Sequence, residues 1–277
     1  MDIKLIAIDL DGTLLHSDRT LSRENIEAIR KAKAAGVQVV LCTGRPLLAM
    51  NYLLDEIDLR DEGDLAITYN GGLIQKTQSG EIVHQITLNR EECKEVYELG
   101  QDLHLPVNFI DLNYIYEPPY PKGAESIYMA DRRKDTNKIG LQFKEIDIQN
   151  LPEPFFINKI VMSRPAEELD AKIPKIPSYY HEKFNIYKSQ DFILEVLPPS
   201  VDKGSAMSFI GEALGFEKHQ IMGLGDQEND LSLVESAGFG VAMANAIPAV
   251  KEVADYITTS NNENGVAHAI HKFVLNK

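Results

Sequence analysis

Short apolar runs alternate along the chain with segments whose apolar positions recur at helical spacing. Residues 3–10 are mostly Ile, Leu and Ala, the pattern of a strand buried on both faces. After a cap-like Ser22, the positions Ile26, Ile29, Ala32 and Ala35 predict a helix that Gly36 closes. Residues 37–41 give a second buried strand. Strand, helix, strand at this spacing is a βαβ unit and predicts a parallel sheet. A helix over 46–57 then leads to an apolar strand over 65–69. Apolar-polar alternation on both sides of Ser79 and Gly80 predicts a hairpin over 73–88.

From about residue 89 the texture changes. A helix over 91–103 precedes a strand-like run over 107–116, a proline-rich turn, a charged stretch over 131–135, a strand over 155–162 and a helix over 166–173. From residue 192 the first texture returns. It predicts a helix over 203–214, a strand over 220–224, a helix over 230–235, short strands over 238–243 and 256–258, and a last helix over 265–275. The expected fold class is α/β. A doubly wound, Rossmann-like parallel-sheet core, formed by 1–88 and 192–277, is interrupted by an inserted α+β cap domain at 89–191.

Composition narrows the function. The 277 residues carry 28 Lys and Arg against 42 Asp and Glu, a net charge of −14, which argues against a nucleic-acid partner. It does not exclude a small anionic ligand, because a local pocket can oppose the global charge. No run approaches the ~18 apolar residues of a membrane span. Asp11 interrupts the first apolar run too early for a signal peptide, so a cytoplasmic enzyme is expected. Cys42 and Cys93 cannot build a disulfide framework, and Cys42 reads as a small buried residue.

Four polar groups stand at predicted strand ends or helix starts. Asp9 and Asp11, with Gly12 after them, follow the first strand, where an open α/β sheet binds its ligands. Two carboxylates at such an end can share a divalent metal; the alternative is a plain Asp-Gly turn. Thr43 and Gly44 follow the second strand, and a hydroxyl with a free N–H at a helix start can cradle phosphate or simply cap the helix. Asp226, Asn229 and Asp230 follow the strand over 220–224, and such an oxygen-rich group suits Mg²⁺. Lys203 opens a core helix. Each signal is weak alone. Together they make the set that phosphoryl transfer needs, with a carboxylate nucleophile as one known solution. One of Asp9 and Asp11 would be ionised and the other a proton donor, and the residues alone leave open which is which.

In these motifs the chain resembles the haloacid dehalogenase superfamily. Asp9 to Thr13, Thr43 to Arg45, Lys203 with Gly204, and Gly225-Asp226 with Asn229-Asp230 match its four motifs in order. The long insertion, Asn70-Gly71-Gly72 and the stretch 240–246 resemble the Cof-type, YidA-like sugar-phosphatase branch. The resemblance implies that Asp9 is the nucleophile and Asp11 the acid and base. It implies Mg²⁺ held by Asp9, the Asp11 carbonyl and Asp226, with Asp230 orienting its water ligands. Phosphate oxygens would be held by Thr43, Lys203, Asn229 and the N–H groups of Leu10 and Gly44. Arg45 has two readings, helping to bind substrate or pairing with a core carboxylate, and the pairing is the one expected. The implied substrate is a small phosphorylated metabolite, a sugar phosphate foremost. A sugar phosphomutase and a non-catalytic phospho-acceptor switch are the competing readings. Oligomeric state is not legible.

Overall fold

The computed structural model describes residues 1–135 and 140–276. Residues 136–139 of the predicted insertion and residue 277 of the predicted core lie outside them. The chain divides into two compact units, Met1–Gln85 with Asp202–Lys277, and Ile86–Val201.

The strands of the first unit are β1 (Leu5–Asp9), β2 (Gln38–Cys42), β3 (Leu65–Thr68), β4 (Leu73–Lys76), β5 (Ile82–Gln85), β12 (Ile221–Gly225), β13 (Phe239–Ala242) and β14 (Tyr256–Ile257). They form one sheet in the order β14-β13-β12-β1-β2-β3-β4-β5. The six strands from β14 to β3 run parallel, and β4 and β5 add an antiparallel edge. Successive side chains of a strand point to opposite faces. Ile6 and Ile8 therefore pack with Ile29 of helix α1 (Arg23–Ala34), while Leu5 and Ala7 pack with Met207 and Ile210 of a helix over Lys203–Ala213. Both faces of β1 are covered and all five of its residues are buried, which is why it reads as an unbroken apolar run.

Local chemistry sets the helix starts. Ser22 caps α1 by accepting the Asn25 N–H at 3.1 Å. Asp202 accepts the Ser205 N–H at 2.8 Å and so makes Lys203 the first helical residue. Because β1, β2, β3 and β12 are parallel, their carboxyl ends lie along one edge, and the loops that follow them converge there.

The second unit contains β6 (Val107–Ile110), β7 (Tyr114–Glu117), β8 (Gln142–Glu145), β9 (Lys159–Ser163), β10 (Asn185–Gln190) and β11 (Ile193–Leu197). Their order is β10-β11-β9-β6-β7-β8. One face packs on a helix over Arg90–Leu103 through Val96, Leu99, Phe109, Ile160 and Val196. Two expectations are corrected here. The single strand over 107–116 is a hairpin, because Asp111 Oδ1 accepts the N–H groups of Asn113 and Tyr114 at 2.7 and 2.6 Å and reverses the chain. The return to the core at residue 192 comes too early, since β11 pairs antiparallel with β9 and β10 and so belongs to the second sheet. An apolar run such as 193–197 looks the same whichever sheet receives it.

Candidate active site

Asp9 is the last residue of β1 and is buried with it. The fully buried Lys203 ammonium reaches Asp9 Oδ1 at 2.6 Å and Asp230 Oδ1 at 2.5 Å. Asp226 follows β12 and is also buried. Ligand-capable oxygens of Asp9, Asp226 and Asp230 all lie within 4.8 Å of one another. One ammonium, paired with Asp9 and Asp230, thus stands in a group of three carboxylates, a surplus of negative charge where water is scarce.

The electrostatics follow from that surplus. Burial, and next the Asp230 charge, push Asp9 well above the ordinary aspartate value, against the pull of Lys203. Burial and Asp230 likewise push Asp226 up to about 7. Burial pulls the Lys203 ammonium down, but Asp230 and Asp9 more than reverse this and keep it charged. An all-oxygen, over-acidic donor set fits a hard divalent cation.

The three carboxylates are held differently. Asp230 Oδ2 accepts the N–H groups of Asp226 and Gln227 at 3.0 and 3.1 Å, so with Lys203 on Oδ1 both its oxygens are engaged. Asp226 Oδ1 accepts the Thr13 hydroxyl at 3.0 Å. Asn245 Nδ2 donates to the Gly12 carbonyl at 2.8 Å and lies 3.4 Å from Asp226 Oδ2. Gly12 has φ of +83°, and a Cβ there would sit 2.4 Å from Asp226 Oδ2, so only glycine lets the β1 loop turn against Asp226.

The remaining predicted residues are placed as follows. Leu10 is fully buried, and its carbonyl accepts the N–H groups of Thr13 and Leu15 at 3.3 and 2.9 Å. The Asp11 side chain is 55% exposed and turns to Arg45, whose Nε donates to Oδ2 at 2.9 Å and whose Nη2 meets Oδ1. Arg45 thus pairs with a carboxylate of the core, Asp11 of the first motif. Thr43 is buried, its hydroxyl accepting the Arg45 N–H at 3.2 Å. Asn229 Nδ2 donates to Asn70 Oδ1 at 3.2 Å, and the Asn70 N–H donates to the Thr43 carbonyl at 2.9 Å. Cys42 is buried, and burial pushes its thiol up, which suits an inert core residue.

Sequence reasoning left Thr13, Asn70 and Asn245 out of the site. Asn70 had a usable signal, a polar residue at the carboxyl end of a parallel strand. Asn245 lies in the stretch 240–246 that resembles the family, but nothing in the stretch points to Gly12; the chain between them is long and only folding brings them together.

A family model described as haloacid dehalogenase-like hydrolase matches residues 6–270. The chain is 40% identical over 274 residues to "Putative phosphatase YxeH" of Bacillus subtilis (strain 168), with 99% of each covered. It is 33% identical over 289 residues to 5-amino-6-(5-phospho-D-ribitylamino)uracil phosphatase YwtE of the same organism, with 98% of each covered. A solved haloacid dehalogenase-like hydrolase from Bacteroides thetaiotaomicron shares the fold with a TM-score of 0.80 at 30% identity, over 98% of this chain and 99% of that one. With the four motifs gathered at one sheet edge, the chain belongs to the haloacid dehalogenase-like hydrolase family and is a phosphoric monoester hydrolase.

Proposed function

We propose that the enzyme is a Mg²⁺-dependent, cytoplasmic phosphatase of small phosphorylated metabolites, sugar phosphates foremost, acting through an aspartyl-phosphate on Asp9. The observation that carries this reading is the buried group of Asp9, Asp226 and Asp230 around one lysine. Asp9, Asp226 and the Asp11 carbonyl would hold the ion. Asp230, with both oxygens already engaged, would orient the site from behind. Bound there, Mg²⁺ would offset the charge on the transferring phosphoryl oxygens.

The chain's own groups supply the steps. An Asp9 oxygen attacks phosphorus; the new P–O bond forms as the ester P–O bond breaks. Asp11 gives a proton to the departing alkoxide. It then takes one from the water that attacks the acyl phosphate, and that attack frees the Asp9 carboxylate and inorganic phosphate. Lys203, Thr43, Asn229 and the N–H groups of Leu10 and Gly44 would hold the phosphate oxygens. Since Arg45 grips Asp11, this pair parts before Asp11 moves a proton.

The test is inorganic phosphate release from a panel of esters, with Mg²⁺ and with chelator, for wild type and Asp9→Asn. The panel takes in sugar phosphates and, because of the relative's name, 5-amino-6-(5-phospho-D-ribitylamino)uracil. Release that needs Mg²⁺ and falls by at least about a thousandfold in Asp9→Asn is the expected result. Release that survives Asp9→Asn overturns the reading.

A further inference from the structure

Asn70 follows β3 in a turn that the predicted phosphate-binding set did not include. It is 3% exposed and left-handed, with φ of +56°. Two loops of the site meet on it. Its N–H donates to the Thr43 carbonyl at 2.9 Å. Its side-chain Oδ1 accepts from Asn229 Nδ2 at 3.2 Å. Its amide also packs against the next residue of the Thr43 loop, where a Cβ on Gly44 would lie 2.8 Å from Asn70 Nδ2.

We propose that Asn70 is a positioning residue for phosphoryl transfer, which holds the Asn229 amide in the orientation that turns an N–H, not the carbonyl oxygen, toward phosphate. The inference rests on the phosphatase reading above. A primary amide has two N–H directions fixed in one plane. When Asn70 takes one of them, the plane is set and the other N–H keeps its direction. An unheld amide turns about a broad, roughly two-fold torsion, so bringing its N–H to an anion costs orientational freedom that a held amide has already lost. An oxygen facing a phosphate oxygen repels it, so the donor is useful only while its orientation is held. Asparagine meets both demands of the position. It tolerates the left-handed backbone, and its amide reaches Asn229. Glycine would meet only the first.

That difference makes the test. Asn70→Gly keeps the backbone conformation and removes the amide. It is compared with Asn229→Ala, the double variant and wild type, on the best-hydrolysed ester and with inorganic phosphate as competing inhibitor. Asn70→Gly is expected to lower kcat/KM about tenfold and to weaken phosphate inhibition severalfold, yet to cost less than about threefold when Asn229 is already Ala. A purely structural role predicts the same factor in both backgrounds, and that result overturns the proposal. So does an Asn70→Gly enzyme within about twofold of wild type. Should the glycine variant fail to fold, Asn70→Ser, whose shorter side chain does not reach Asn229, replaces it in the same comparison. Its cost in kcat/KM is again expected to fall to less than about threefold when Asn229 is already Ala, and the same factor in both backgrounds overturns the proposal. The Asp9→Asn control decides the phosphatase reading separately.

Discussion

Each of the two units buries a lysine against a carboxylate, and the two clusters differ in charge. In the second unit Lys159, 7% exposed, donates to Glu195 Oε1 at 3.1 Å. The Ser189 hydroxyl reaches the same oxygen at 3.0 Å, and the Tyr187 hydroxyl reaches Oε2 at 3.3 Å. These partners of Glu195 are all donors. In the first unit Lys203 faces Asp9 and Asp230, with Asp226 beside them. There the carboxylates repel one another, and two are pushed toward protonation. A ring of donors around one carboxylate is architecture. A surplus of buried carboxylates is unstable by itself and marks a place for a cation and for chemistry.

The sharpest way to break this comparison is Lys203→Met. It strands three carboxylates with no ammonium. It should cost about 3–5 kcal/mol of stability in denaturant unfolding and at least about a hundredfold in kcat/KM. An active, fully stable variant would mean that the surplus charge is not felt.

The next effect is in pH and metal. Asp226 is raised from 3.8 to about 7 in the folded protein. A folded carboxyl that holds its proton more tightly than the unfolded one stabilises the fold at low pH. That contribution is lost as pH rises through about 4 to 7. The metal-free protein should therefore lose stability over this window, on the order of a few kcal/mol. Mg²⁺ should restore about 2.7 kcal/mol at a hundredfold its Kd, read as a rise in Tm at pH 8. Asp226→Asn should flatten both responses. Unchanged Tm with Mg²⁺ in the wild type would count against an ion at this site.

The smallest effect separates the clusters. Glu195→Gln should cost about 1–3 kcal/mol, while the Mg²⁺-induced rise in Tm stays intact. If that rise vanished, the two clusters would not be the distinct kinds of site that their charges describe.

Much of this was legible before folding. The apolar runs of β1, β2 and β12 announced parallel strands buried on both faces. Asp9 ends such a run, and Asp11, Thr43, Gly44, Asp226, Asn229 and Asp230 stand after one. Helix starts were readable from Ser22, and Lys203 from its place at a helix start. Less was readable in the insertion. β8 is a short, largely polar strand, and the apolar strand at 193–197 gave no sign of which sheet would take it.

The sequence by itself determined the local matters: which segments are strands or helices, where they turn, and which polar residues end a strand. These depend on periodicity and on contacts a few residues away, so they can be read along the chain. Only the tertiary structure decided the rest. Lys203 meets Asp9 across 194 positions, and Thr13 meets Asp226 across 213. Asp11 turns to Arg45, and Asn70 becomes the acceptor for Asn229. Strand order and register set these meetings, and they are fixed by packing both faces of one sheet, a property of the whole fold that no stretch of residues carries alone.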